Sequence, residues 1–405
     1  MTSEITFPQT EAELAETVRM TTLAFRRQVT PELMAGFWAD VRRPGCRPEH
    51  QRILKVDGRI VAGALIVEKE LRFGGSVFRC AGIGDVATDP DCRLRGLGRQ
   101  MMEHCLEYMT DQGYAVSVLF GITDYYHKFG YRPAGCESSL TLTVPDALHA
   151  EAGALSVGPL RRDDLPAAAR LHARTDAALP MTFVRSTAYW QHLFPRFRTA
   201  RTLREGGGKL VAAWHGEVAD GVYVVRQVVS QPKAPVMSSL LAHCARAAKR
   251  AGVEKLRFHL SLDHPFARHC PEYGAEASVR YPRNSGCMLR VLNFRSFARK
   301  LLPELSARVV AASLEKPLPS LTLATDLGQL GLGFDGDTTL LEDSPASISS
   351  RVRVDQGRLC QLLSGYRSID DLSGLPGVTA PTAALPLLRV LFPQRCPYLW
   401  QADRF

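Results

Sequence analysis

The sequence lacks several features that would have decided its class at once. No run approaches the roughly 18 consecutive apolar residues of a membrane span, so no transmembrane anchor is expected. The first ten residues show no basic start followed by an apolar stretch, and no secretory leader is expected. Ten cysteines are present, yet none form a C-x-x-C pair and none sit with histidines at zinc-finger spacing. Reduced thiols in a cytoplasmic protein, with no bound metal, are the expectation. The 405 residues carry a formal net charge of +9, but with no basic tail and no basic run interleaved with aromatics. An anionic small molecule explains local basic sites, and nucleic acid is not an expected partner.

A chain of this length fits about two to four domains. At 45% hydrophobic and 22% charged residues, it has the means to bury ordinary cores. Residues 11–25 place Leu14, Val18, Thr21, Thr22 and Phe25 at helical spacing. Strand-like segments 52–56 and 59–71 flank Asp57-Gly58, a hairpin signal, and a second turn follows at Gly74-Gly75. Residues 76–88 read as a strand. Residues 98–112 read as a helix with Met101, Met102, Cys105, Leu106 and Met109 on one face, and 115–120 as a buried strand. A short helical turn at 125–130 and a strand at 140–144 complete a first domain over 1–150.

After a linker of small residues the order partly repeats, which suggests two related domains. A helix is expected within 160–175, and strands 209–214 and 217–225 flank His215-Gly216, read as a hairpin turn. A helix at 236–252, a strand at 255–262 and a short helix before Gly274 follow. The second domain is set at 151–286. A third, 287–405, opens with a strand at 287–291 and a helix at 294–305, and holds a strand-to-helix unit at 352–363. Aromatic and apolar residues continue to Phe405, so this end is expected to be packed rather than frayed.

The chemistry-bearing segment is Val86-Ala87-Thr88-Asp89-Pro90-Asp91-Cys92-Arg93-Leu94-Arg95-Gly96-Leu97-Gly98-Arg99. A strand ends, a glycine loop follows, and an amphipathic helix starts. Glycine lets backbone approach a ligand closely. The first N–H groups of a helix lack partners and carry the positive end of its dipole. Together they suit a pyrophosphate, with Arg93, Arg95 and Arg99 adding charge. The bland alternative is a helix start with glycines used for packing. The Gly-x-Gly-x-x-Gly of a dinucleotide fold and the Gly-Lys-Ser/Thr of a nucleoside triphosphatase are both missing. At the corresponding place in the second copy stands Ser230-Gln231-Pro232-Lys233-Ala234-Pro235, where prolines remove two donors. That copy is expected to have no cofactor site.

Arg93-x-x-Gly96-x-Gly98 after Val86-x-Thr88 resembles motif A of the GNAT acetyltransferases, and Tyr126-His127-Lys128-Phe129-Gly130-Tyr131 resembles their motif B. Two such copies, a third domain and a terminal Phe make the chain similar to the enhanced intracellular survival (Eis) acetyltransferases. The resemblance implies an α+β protein: tandem GNAT folds, each a mixed sheet flanked by helices, then a sterol-carrier-like α/β domain whose C-terminus reaches the active site. It also implies a homohexamer.

The resemblance further implies acetyl-CoA as cosubstrate and direct transfer of acetyl to a primary amine of a small molecule, an aminoglycoside, polyamine or lysine-like amine. Alternatives are a different acyl group or a dedicated biosynthetic amine, or a lipid-binding protein led by the third domain. Val86, Ala87 and Thr88 would pair with the pantetheine arm. The N–H groups of Arg93, Leu94, Arg95, Gly96, Leu97 and Gly98 would hold the pyrophosphate, with Arg99 nearby. Tyr126 would protonate the leaving thiolate, its alternative being a core aromatic. Phe405 would act through its α-carboxylate as base, proton relay or ammonium ligand, its alternative an inert buried end. Asp85 is a second candidate base; strand alternation puts it on the face opposite Val86 and Thr88. Its alternative is an ion pair. Phe25, Phe37 and Trp38 would line the acceptor pocket, or else be ordinary core.

Overall fold

The computed structural model describes residues 2–315, 317–336, 338–342 and 350–405. Three sheets organise them. The first has the strand order Ser3–Thr6, Gln51–Val56, Arg59–Phe73, Ser76–Thr88, Val116–Ile122, Asn284–Val291, Arg132–Pro133, with Thr182–Val184 pairing off Arg59–Phe73. The second runs Glu276–Arg280, Glu137–Thr143, Lys255–His259, Val222–Ser230, Leu210–Ala219, Arg201–Arg204, Ser156–Pro159. The third joins Thr338–Glu342, Gly328–Asp335, Leu321–Thr325 and Ser350–Arg353.

The first two sheets share one plan, and they exchange a strand. Glu137–Thr143 leaves the first sheet and inserts between Lys255–His259 and Glu276–Arg280 of the second. Asn284–Val291 returns to fill the matching slot between Val116–Ile122 and Arg132–Pro133. Such pairing has no local signature, which is why each strand reads along the sequence as part of the segment it follows or precedes.

Local chemistry sets the elements. Asp57 (φ 48°) and Gly58 (φ 83°) form a two-residue turn of the primed type that suits right-twisted hairpins. One expectation fails here. The hairpin of the second sheet turns at Asp220 (φ 50°) and Gly221 (φ 72°), not at His215-Gly216. His215 pairs with Gln227 and Gly216 with Val225, so Arg226 is the extra residue of a β-bulge. Gly216 is small because a Cβ there would lie 2.8 Å from the Tyr223 ring.

Helix Leu97–Asp111 buries Met101, Met102, Cys105, Leu106 and Met109 against Ile66, Ile83 and Leu119 of the first sheet. Full burial of each such side chain stabilises by roughly 1.5–3 kcal/mol. The third sheet shares its core with the other part of the first: Phe73, Phe78, Val116 and Leu289 pack with Leu301, Leu323, Leu359 and Leu388. Phe78 and Phe297 stack at 4.6 Å. The C-terminal segment threads back through the molecule. Tyr398 and Trp400 are buried in the core of the second sheet, and Leu399 in that of the first and third.

Candidate active site

Ser76–Thr88 and Val116–Ile122 run parallel and pair from Cys80↔Val116 to Ile83↔Leu119. Pairing stops there, although both strands continue. A bulge marks the point of divergence: Gly63 pairs with Ala87 but Leu65 with Gly84, so Ala64 faces both Asp85 and Val86. Asp85 takes φ 51°, an unusual conformation for a residue with a side chain. The backbone edge of residues 84–88 is thereby freed on the side that faced Val116–Ile122. A cleft of about 670 Å³ opens between the strands, lined by Gly84 to Thr88, Arg93, Leu94, Gly98, Phe120 to Ile122, Tyr125, Tyr126, Ser285 and Phe405, with Ala24 and Phe25 at the rim. The bulge also corrects the expected facing of Asp85. Alternation does not hold across an inserted residue, and Asp85 lines the same cleft as Val86 and Thr88.

The loop at the mouth of the cleft has the donors to hold an anion. Leu94 (φ 63°) and Gly96 (φ 79°) both take left-handed conformations, a pattern that turns successive N–H groups toward one point. Leu94 is fully exposed, and a bulky side chain held this way costs about 1–3 kcal/mol. Gly96 is the N-cap of helix Leu97–Asp111 and supplies no capping side chain. The first intrahelical bond is Gln100 N–H to Gly96 C=O at 3.0 Å, which leaves the N–H groups of Leu97, Gly98 and Arg99 without acceptors in the helix. A Cβ on Gly98 would come 3.0 Å from the Tyr125 hydroxyl and 3.3 Å from Thr88 Oγ1. The arginines are less uniform. Arg93 donates to Ala24 C=O (3.1 Å) and Arg95 to Asp91 C=O (3.4 Å), whereas Arg99 is paired with Glu103 on the helix surface (2.7 Å).

Tyr126 stands on the opposite wall, its ring filling the space above Gly121, where a Cβ would collide at 2.2 Å. It lies edge-on to Tyr125 at 5.0 Å. Burial, reinforced by Tyr125, pushes its phenol up to about 12, so it is fully protonated at neutral pH. Burial pushes the Asp85 carboxyl up to about 6, while the Arg43 guanidinium pulls it partly back.

Phe405 seats its ring over Gly82, where a Cβ would lie 2.1 Å from Cζ. Its carboxyl carbon is 3.7 Å from the Cβ position of Gly84, the residue before Asp85. Three tethers set this seat. The buried Asp403 carboxylate accepts from Arg185 at 2.7 and 3.0 Å. Arg404 pairs with Glu137 at 2.7 Å, and Tyr189 donates to Ala402 C=O at 3.0 Å. Lys69 approaches the Phe405 ring. Its buried Nζ sits 3.6 Å over the Tyr189 ring and 6.0 Å from that of Phe405, with no hydrogen-bond partner. Burial pushes its ammonium down to about 8.

Residues 7–134 match the family described as the acetyltransferase (GNAT) domain. The chain carries a GNAT acetyltransferase domain. Domains of this family use acetyl-CoA as cosubstrate. Three solved structures resemble the whole chain, each covering 100% of both: GCN5-related N-acetyltransferases of Kribbella flavida (19% identity, TM-score 0.76) and Anabaena variabilis ATCC 29413 (18%, 0.76), and Eis1 of Mycobacterium abscessus (15%, 0.69). At these identities the likeness establishes the fold. No curated protein matches the chain. Among the described residues, no helix is long and apolar enough to cross a membrane, and no group of three or more His, Cys, Asp or Glu is placed to hold a metal.

The cleft thus gathers Asp85, Val86, Ala87, Thr88, Arg93, Leu94, Gly98, Tyr126, Phe405 and Phe25. Phe37 lies behind Phe25, ring centres 5.8 Å apart, and is buried. Trp38 lines a separate shallow pocket with Met34 and Arg42, the guanidinium 4.7 Å over its ring. Sequence reasoning missed Phe120, Gly121 and Ser285. Gly121 and the closely spaced Gly82 and Gly84 carried a signal, since glycine inside a strand marks close approach of another group. Ser285 carried none, because it arrives on the exchanged strand.

Proposed function

We propose that the chain transfers acetyl from acetyl-CoA to a primary amine of a small molecule, by direct attack within the cleft between residues 84–88 and 120–122. The observation that carries this is the freed strand edge beside an uncapped helix start. The parts fit the cosubstrate: Val86, Ala87 and Thr88 offer backbone for the pantetheine arm, and the N–H groups of residues 93–98 offer donors for the pyrophosphate. When bound, acetyl-CoA supplies the activated acyl group.

Asp85 is the proposed base. At about 6 it is mostly ionised at neutral pH and a better proton acceptor than an ordinary carboxylate at 3.8. The difference improves acceptance from an ammonium by about 3 kcal/mol, taking about 1.36 kcal/mol for each unit. The Phe405 carboxylate, beside Gly84, is proposed to hold the ammonium or relay its proton. Tyr126 is proposed to serve the leaving thiolate as a hydrogen-bond donor. A phenol at about 12 is a weaker acid than a thiol near about 8.5, so it stabilises the thiolate without having to surrender its proton.

The acceptor end has apolar walls in Phe25, Phe120 and Ile122, and among the described residues Asp85 is the one acidic side chain lining the cleft. Together with the Phe405 carboxylate it gives the cleft two anionic groups, which suit an amine acceptor with an apolar body. The shared plan of the first two sheets supports a tandem GNAT arrangement. In the second, parallel pairing of Val222–Ser230 with Lys255–His259 also stops early, at Val225↔Phe258. There Arg226 donates to Gln401, while Tyr398 and Trp400 fill the core. With Pro235 in the first turn of helix Ala234–Arg250, this copy is proposed to have no cofactor site. The proposal extends to a sterol-carrier-like third domain, a homohexamer and a cytoplasmic location.

The experiment is release of free thiol from acetyl-CoA with a panel of amines, the product identified by mass. Amine-dependent release with monoacetylated product supports the reading. If no amine promotes release while acetyl-CoA still binds, the acceptor assignment fails.

A further inference from the structure

Ten cysteines are free, and two of them meet. The sulfurs of Cys136 and Cys396 lie 3.5 Å apart, although 260 positions separate them in the chain. Cys136 stands at the crossover where the chain leaves Arg132–Pro133 of the first sheet and enters Glu137–Thr143 of the second. Cys396 opens the C-terminal segment that ends at Phe405 in the cleft. The backbone already holds both in register. Cys136 N–H donates to Pro397 C=O at 2.8 Å, Cys396 N–H donates to Asp263 at 2.8 Å, and Ser261 donates to Cys396 C=O at 2.7 Å. Disulfide sulfurs sit about 2.05 Å apart, so closing the bond requires a shift of about 1.5 Å between two already facing side chains.

We propose that Cys136 and Cys396 form a peroxide-responsive dithiol site, which closes to a disulfide and fastens the base of the C-terminal segment to the crossover between the first two sheets. The reactive partner is Cys396, which is partly exposed while Cys136 is buried. The contact with Cys136 pulls the Cys396 thiol down against the opposing effect of burial, and the same contact, with burial, pushes Cys136 up. Cys396 is therefore the more acidic thiol of the pair and the one that supplies the attacking thiolate. Its sulfur attacks hydrogen peroxide: an S–O bond forms, the O–O bond breaks, and hydroxide leaves to become water. The Cys136 sulfur then attacks the sulfenic sulfur, the S–S bond forms, the S–O bond breaks, and a second water leaves with the Cys136 proton. Two thiols lose two electrons, and one peroxide is reduced to two waters.

Most of the remaining cysteines make a natural control. Cys80, Cys105, Cys244, Cys287 and Cys360 are buried, and burial pushes each thiol up, so they are poor nucleophiles. Closing so long a loop also restricts the unfolded chain, which raises the apparent melting temperature of the oxidised form.

The test uses the full-length reduced protein. It is exposed to hydrogen peroxide, blocked with N-ethylmaleimide and mapped by mass spectrometry. The expected result is a peptide pair joining Cys136 to Cys396, about 2 Da lighter than the two thiols, formed at least about ten-fold faster than any other thiol is lost and reversed by dithiothreitol. In the Cys136→Ser variant the pair cannot form, and Cys396 is expected as a sulfenic acid trapped by dimedone. The proposal is overturned if Cys396 in the wild-type protein is still free when half the total thiol has been consumed, or if Cys396 pairs with a different cysteine. Neither result bears on acetyl transfer.

Discussion

Replacing Asp85 with Asn separates two roles that the cleft imposes on one side chain. In the folded protein the carboxyl titrates at about 6 against an ordinary value of 3.8, mainly because it is buried. The folded state therefore binds this proton more tightly than the unfolded state. Its contribution to stability is fully present below the unfolded value and is lost as pH rises through the folded one. The rise from 3.8 to about 6 corresponds to about 3 kcal/mol of destabilisation above pH 7. An amide in place of the carboxylate keeps the shape without the charge. Denaturant unfolding at pH 7.5 should show Asp85→Asn more stable than wild type by up to about 3 kcal/mol, and by less than about 1 kcal/mol at pH 4. Turnover should move the opposite way and fall by about 10²–10⁴, the usual worth of a general base. The wild-type rate should rise with pH through about 6. A variant that is less stable at pH 7.5, or whose gain does not shrink in acid, would refute the buried-carboxylate reasoning. Full activity would remove Asp85 from the reaction.

Tyr126→Phe should lower kcat by roughly 10–10³ and leave the affinity for acetyl-CoA within a factor of about two, measured by steady-state kinetics and titration; unchanged kcat would exclude the donor role. Gly82→Ala puts a methyl where the Phe405 ring lies, so it should cost about 1–3 kcal/mol or displace the C-terminal segment. Loss of turnover with an unchanged circular dichroism spectrum is the expected reading, and full turnover would show that the Phe405 seat is not needed. Lys69 has its ammonium at about 8 rather than 10.5, so Lys69→Met should stabilise the fold by about 3 kcal/mol at pH 7, a gain that disappears as pH rises from about 8 to 10.5. Thermal unfolding across that range checks it, and a destabilised variant would mean that the ammonium has a partner.

How much of this was legible in the sequence depends on how local each feature is. The hairpin at Asp57-Gly58, the face of helix Leu97–Asp111 and the loop from Arg93 to Gly98 are written in consecutive residues, and they stand where spacing placed them. The reading failed where local cues competed. His215-Gly216 and Asp220-Gly221 both offer a glycine, and the turn chose Asp-Gly because both of its residues tolerate positive φ. Asp85 defeated strand alternation because the bulge that aims it into the cleft is invisible to a two-residue period. The exchanged strands Glu137–Thr143 and Asn284–Val291 lay beyond reach altogether, since each pairs with neighbours distant in sequence. For the same reason Ser285 and the seat of Phe405 have no local signal. The ring contacts Gly82 and Phe120, which lie far upstream in the chain.

The central claim is that one cleft, between the freed edge of residues 84–88 and the uncapped helix start at Gly96, takes the cosubstrate. Amide hydrogen exchange with and without acetyl-CoA tests it most directly. The account predicts new protection at Val86, Thr88 and residues 94–98, with none at the matching helix start around residues 234–237 of the second sheet. Protection confined to the second sheet, or absent from residues 94–98 at saturating acetyl-CoA, would contradict it.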